Sequence, residues 1–169
     1  MRPVQAADSR YRIETISADQ SPVLLMLIRE LAAFENELDS VTTTESDIRA
    51  AIELDLIEAT VGYLDGQPAG FAITYSTYSS FSGRKGRFLD DLYIRPPYRK
   101  QGLGRLFMAY LTHRAVAEGC ARFEWTCLDW NDPAHAFYQS LGAHARREKV
   151  FYRADGPLLE HLAAGWQDK

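Results

Sequence analysis

The run Arg99-Lys100-Gln101-Gly102-Leu103-Gly104 holds the residue types needed to bind a pyrophosphate. An extended segment, residues 87–94, precedes it. A helical pattern follows at once, with Leu103, Leu106, Phe107, Tyr110 and Leu111 spaced as one apolar face that runs to about Glu118. A helix that opens on such a turn leaves its first backbone N–H groups unpaired, at the positive end of the macrodipole. Gly102 and Gly104 carry no Cβ, so phosphate oxygens can approach the main chain there, and Arg99, Lys100 and Arg105 add positive charge. No Gly-Lys-Ser/Thr follows, which excludes a P-loop. Position 107 is Phe where a dinucleotide fingerprint needs its third glycine.

The pattern that remains, Arg/Gln-x-x-Gly-x-Gly/Ala, resembles the GNAT superfamily of acetyl-CoA-dependent N-acetyltransferases. The resemblance extends through Leu89-Asp90-Asp91-Leu92-Tyr93-Ile94-Arg95-Pro96-Pro97-Tyr98-Arg99, similar to that family's cofactor-contacting strand and exit turn. It continues in Asn131 to Tyr138 and Leu141-Gly142-Ala143, similar to its Asn-x-x-Ala-x-x-Phe-Tyr-x-x-x-Gly segment. Arg29 to Glu35, Gly70-Phe71-Ala72 and Trp130-Asn131-Asp132-Pro133 look most like the spermidine/spermine and thialysine acetyltransferase branch. The match covers roughly residues 11–155. It implies acetyl-CoA as cosubstrate, a small primary amine as acceptor and a homodimer. Aminoglycosides and protein or peptide amines are the alternative acceptors, and a non-catalytic coenzyme A-binding module is the alternative of another class.

The resemblance also implies roles. Backbone groups of Leu92, Tyr93 and Ile94 run beside pantetheine, with a Leu92 N–H donating to the thioester oxygen. Residues Arg99 to Arg105 cradle the pyrophosphate, and Asn131, Pro133, Ala134 and Tyr138 contact the cofactor. Tyr138 gives a proton to the departing thiolate. The amine must lose a proton before it attacks, since an alkylammonium with pKa near 10.4 leaves only about one molecule in a thousand neutral at pH 7. A carboxylate supplies the base. Asp90 aligns with the branch's glutamate base, and its shorter side chain favours a water relay; Asp91 follows it. Neighbours on a regular strand face opposite ways, so only one of the two is expected to face the cleft. Phe34 and Glu35 are expected to line the amine pocket, in a stretch enriched in carboxylates by Glu30, Glu37 and Asp39. Glu124, Trp125 and Thr126 are assigned to the substrate side as well. Trp125 and Trp130 otherwise read as packing residues, and His135 as a solvent-exposed one.

These groups need a scaffold, and the patterning supplies one. A strand at residues 11–16 precedes a helix that starts at Pro22 and buries Val23, Leu24, Leu27, Ile28 and Leu31. Thr44 with Asp47 opens a second helix to about Leu54 as a capping box. Strands 59–63 and 68–78 flank Asp65-Gly66, a hairpin signal. The strand 87–94, the cradle helix and a strand at 122–128 follow. A short helix, 133–141, stops at Gly142. A final strand is expected at 147–153 and a turn or two of helix at 158–164. The order β-α-α-β-β-β-α-β-α-β gives an α+β (α/β) class with a mixed central sheet flanked by helices. The resemblance narrows it to the GNAT fold, in which the parallel strands ending near Ile94 and Leu128 splay apart at the cofactor site. Residues 1–10 read as a flexible tail and 11–169 as one domain.

Composition sets the outer bounds. A chain of 169 residues, 46% apolar and 25% charged, suits one soluble globular domain. A net charge of −4 argues against nucleic acid as partner and tolerates a cationic substrate. Cys120 and Cys127 have no partner cluster, so no metal is expected, and Cys127 reads as a buried strand position. No stretch reads as a signal peptide or membrane span, and a cytoplasmic location is expected.

Overall fold

The computed structural model describes residues 4–5 and 10–166. Most of the expected N-terminal tail lies outside the described residues; within it, β1 (Val4–Gln5) pairs with Arg12 and Ile13. The chain falls into two compact units that meet in sequence after Leu128.

The first unit carries a six-stranded sheet in simple order: β1, β2 (Tyr11–Thr15), β3 (Glu58–Leu64), β4 (Gln67–Ser79), β5 (Arg84–Ile94) and β6 (Phe123–Trp125). All neighbours are antiparallel except β5 and β6. The β3–β4 turn puts Asp65 and Gly66 at φ of 50° and 78°, the left-handed pair that a two-residue hairpin requires.

Helix α1 (Ser21–Phe34) carries Pro22 in its first turn, and α2 (Glu45–Glu53) is capped by Thr44, whose hydroxyl accepts from the Asp47 N–H while the Asp47 carboxylate accepts from the Thr44 N–H. Both helices bury their apolar stripes on one face of the sheet, where Leu24, Leu27, Ile48, Val61, Phe71, Ile73 and Tyr93 form the core. Helix α3 (Leu103–Ala117) packs on the opposite face with Leu103, Phe107 and Leu111. Gly62 makes that packing close, because a Cβ there would sit 2.6 Å from the Phe107 ring.

A buried ion network anchors the far end of α3. The Arg87 side chain donates to Glu58 on β3 (3.1 Å), to the Thr74 hydroxyl on β4 (2.9 Å) and to Glu118 just past α3. Arg114 donates to the same Glu58 at 2.6 Å. Burial opposes ionisation of Glu118, but the Arg87 hydrogen bond and the charges of Arg87, Arg114 and Lys85 hold its carboxyl below the usual value. Arg87 is almost fully buried, so removing it strands carboxylates rather than simply deleting a bond. Arg87→Met therefore lowers the unfolding free energy by about 3 kcal/mol, read from the urea midpoint at pH 7. A change below about 0.5 kcal/mol, the size of an ordinary surface substitution, would show that the network contributes nothing.

The second unit begins at Asp129. Helix α4 (Asp132–Ser140) is capped by Asn131, whose side chain accepts from the Ala134 N–H at 3.3 Å, with Pro133 in the first turn. It ends at Gly142, with φ of 82°, as its pattern requires. Helix α5 spans Gly156–Ala163.

Three expectations change here. Residues 147–153, expected to pair as a final strand, form none. Strand β6 ends at Trp125 instead of reaching Leu128, so Cys127 is half-buried beyond the sheet rather than buried within it. Trp130 is more than half exposed and His135 half-buried, the reverse of the roles that their residue types suggested.

Candidate active site

The turn before α3 takes a left-handed conformation. Lys100 and Gly102 adopt φ of 58° and 87°, and α3 begins on Leu103 with no side chain capping its end. The N–H groups of Leu103, Gly104 and Arg105 fall in the first turn, where no carbonyl of the helix can reach them. The loop is braced from behind. Tyr11 on β2 donates its hydroxyl to the Gln101 carbonyl at 2.6 Å, and the Gln101 side chain donates to Pro97 O at 2.9 Å. Lys100 and Arg105 are exposed at the rim. Arg99 is turned the other way, with its Nε donating to Ile94 O at 2.8 Å and its guanidinium over the Phe34 ring.

Beside the cradle the sheet opens. Strands β5 and β6 pair at Arg87–Phe123, Phe88–Glu124 and Leu89–Trp125, and no further. Strand β5 continues to Ile94, so residues 90–94 have no strand on that edge among the described residues. Unpaired main-chain groups along such an edge suit an extended, amide-bearing ligand. Leu92 and Ile94 are half-buried, and the Tyr93 ring is in the core, which leaves its backbone for the ligand.

A β-bulge sets the acids. Leu89 lies opposite Thr74 and Asp91 opposite Ile73, so Asp90 is an extra residue with no partner on β4. Residues directly opposite share a face, and Thr74 and Ile73 face opposite ways. Leu89 thus faces α3, whereas Asp91 joins Ile73 on the face of α1. Asp90 raises the pKa of Tyr75, which shares the parity of Ile73, after the larger effect of that tyrosine's burial. Asp90, the unpaired residue of the bulge, is therefore within electrostatic reach of Tyr75 as well as of Asp91. The bulge removes the regular alternation on which the expectation of a single cleft-facing acid rested.

Asp90 is exposed and Asp91 half-buried. Desolvation, then the charges of Asp90 and Glu35, raise Asp91 from 3.8 to about 6. Glu35 ends α1 and is itself raised, by burial and then by Glu37. It also raises the Cys127 thiol, after the larger effect of burial. Asp91 is therefore within electrostatic reach of Asp90 and Glu35, and Glu35 of Cys127. Phe34, next to Glu35, lies tilted against Tyr93 with ring centroids 6.5 Å apart.

The remaining candidates make local contacts. Glu124 pairs with Arg122 at 2.7 Å, Trp125 tilts against Phe123 at 5.7 Å, and Thr126 is exposed. Tyr138 is half-buried on α4, with its ring 5.3 Å from that of Phe137. Among the described residues no cluster of three or more His, Cys, Asp or Glu is arranged for a metal. No described helix is long and apolar enough to cross a membrane.

The sequence that builds this loop, edge and strand matches a known family. The Acetyltransferase (GNAT) family matches residues 26–143. The chain belongs to this family. It is 35% identical to a thialysine N-epsilon-acetyltransferase of Caenorhabditis elegans, over 90% of this chain and 97% of that one. It is 30% identical to a human spermidine/spermine N(1)-acetyltransferase-like protein 1, over 82% of this chain and 21% of that longer one. Among solved structures, a soil-metagenome aminoglycoside acetyltransferase in complex with sisomicin superposes with a TM-score of 0.77 at 17% identity, covering 88% of this chain and 97% of that one. That likeness fixes the fold. The protein is a GNAT-fold N-acetyltransferase acting on an amine acceptor, and its family uses acetyl-CoA.

The cradle fits that cosubstrate. Gly104→Val places a branched side chain in the first turn, where the phosphates must approach, and weakens acetyl-CoA binding at least about tenfold, or 1.4 kcal/mol, by calorimetry. Unchanged affinity in a folded variant would remove the cradle assignment.

Proposed function

We propose that the enzyme acetylates the primary amine of a small polyamine or thialysine-like acceptor by direct attack within a ternary complex. The observation that carries this reading is the bulge-presented pair Asp90–Asp91 beside Glu35. Three acids at one opening attract an ammonium and leave one carboxyl of raised pKa to take its proton. Relatives named for thialysine and for spermidine/spermine support the same acceptor class.

In this reading Asp91 is the base, and Asp90 and Glu35 hold the substrate's positive charge. Phe34 lines the path of its carbon chain. Acetyl-CoA, when bound, supplies the activated acyl group. The first-turn N–H groups of α3 hold its pyrophosphate, and the open edge at residues 92–94 orients its arm. A Leu92 N–H stabilises the oxygen on which charge develops. The ammonium gives one proton to Asp91 and attacks as the free amine. The N–C bond forms and the C–S bond breaks, Tyr138 gives its proton to the departing sulfur, and the second proton lost by the nitrogen on amide formation restores the phenol. Cys120 and Cys127 are free thiols, which fits a cytoplasmic enzyme. The proposal includes a homodimer, supported by the exposed Phe151, Tyr152, Leu162 and Trp166 of the C-terminal unit.

The test is a turnover screen with acetyl-CoA over thialysine, diamines, polyamines, aminoglycosides and short peptides. The highest kcat/KM is expected for a thialysine-like amino acid or a polyamine. A clear preference for aminoglycosides or peptides would overturn the acceptor assignment.

A further inference from the structure

We propose that Arg99, although it sits in the cradle sequence, acts on the amine side of the reaction as a positioning residue that straps the end of α1 to the exit of β5. This rests on the reading of Phe34, Glu35 and Asp91 as the acceptor's surroundings. The Arg99 guanidinium lies 4.7 Å from the Phe34 ring centroid and 5.7 Å from that of Tyr93, while its Nε is held by Ile94 O at 2.8 Å. A planar guanidinium can stack on rings and donate in its own plane at the same time; an ammonium cannot.

A second arginine repeats the arrangement one helical turn earlier. Arg95, from the same exit turn, donates its Nε to Glu30 at 2.9 Å and its Nη1 to Pro68 O at 3.0 Å. Glu30 and Phe34 are i and i+4, so both straps grip one face of α1. They do so where the helix ends, immediately before Glu35, with Asn36 at a φ of 61° turning the chain away. Phe34 is 39% exposed, so the core does not enclose it. Its position, and with it the distance from Glu35 to Asp91, depends on what lies across its ring. For Arg99 to reach a phosphate it would have to give up both the Ile94 carbonyl and the Phe34 face.

The experiment compares Arg99→Met and Arg99→Lys with the wild type. It measures acetyl-CoA affinity by calorimetry without amine, amine KM at saturating acetyl-CoA, and melting temperature. In Arg99→Met the amine KM is expected to rise about tenfold or more, with acetyl-CoA affinity changed less than about threefold. Arg99→Lys does not rescue the amine KM, because a point charge cannot replace the stacked plane. Loss of acetyl-CoA affinity that Lys restores would make Arg99 a phosphate ligand and overturn the proposal. A lowered melting temperature with both constants unchanged would reduce it to a structural contact and do the same. A wild type that turns over no amine would overturn the functional reading and the strap together. A wild type that turns over, with Arg99→Met unaffected, would overturn the strap alone.

Discussion

Asp91→Asn lowers turnover by roughly 10²- to 10⁴-fold at neutral pH, the range for losing a positioned general base, whereas Asp90→Asn costs less than about tenfold. The difference follows from burial. Asp90 is exposed, while Asp91 is pushed to about 6 by desolvation and by the charges of Asp90 and Glu35. A carboxylate that titrates near 6 accepts a proton more readily than one at 3.8 and is still ionised at pH 7.5. For the wild type, kcat/KM rises through about pH 6 as Asp91 ionises in the free enzyme. In Asp91→Asn that limb is absent. The residual rate climbs with pH toward about 10, following the neutral fraction of the amine, so the deficit shrinks.

Stability carries the opposite sign. A raised folded-state pKa means that the folded protein binds the Asp91 proton more tightly than the unfolded chain does. The associated stability is present below about pH 4 and is lost as pH rises through about 6. Asp91→Asn removes that loss, and above pH 7 it should melt at or above the wild-type temperature. A pH-independent rate defect with a large fall in melting temperature would sink the base assignment. A defect in Asp90→Asn as deep as that in Asp91→Asn would return the role to Asp90.

What was legible in the sequence divides along physical lines. Local signals carried through: Pro22 and Thr44 start their helices, Asp65-Gly66 makes the hairpin, and Gly102 opens α3 in a left-handed conformation. Each is set by residues within a turn or two of itself. The bulge at Asp90 left no such mark. It is a property of the register between β4 and β5: the two adjacent acids of Leu89-Asp90-Asp91-Leu92 interrupt the apolar–polar alternation, but only the partner strand shows that Asp90 is the extra residue. The direction of Arg99 was hidden for the same reason, since the rings it covers come from α1 and β5. The missing strand at 147–153 shows the converse error. The β-formers Val150, Phe151 and Tyr152 make the segment able to pair, and pairing needs an edge to receive it.

Tyr138→Phe is the second large effect, with turnover expected to fall by roughly 10²-fold or more. The substitution deletes one hydroxyl and keeps the ring against Phe137, as well as the main chain, where Tyr138 O accepts from Leu141 and Ala143. The C-terminal end of α4 and its glycine stop at Gly142 are therefore untouched, and the melting temperature should move little. Acetyl-CoA KM should stay near the wild-type value, because the hydroxyl is asked to act on the sulfur only as the C–S bond breaks. The decisive measurement changes the leaving group. A thiolate from an alkyl thiol needs a proton as it departs; one from an aryl thiol, being far less basic, does not. If Tyr138 supplies that proton, the gap between Tyr138→Phe and the wild type narrows sharply when an aryl thioester replaces acetyl-CoA as donor. A packing role predicts the same fractional loss with both donors, since a misplaced helix does not distinguish one departing thiolate from another. Equal losses would demote Tyr138, whatever the size of the defect.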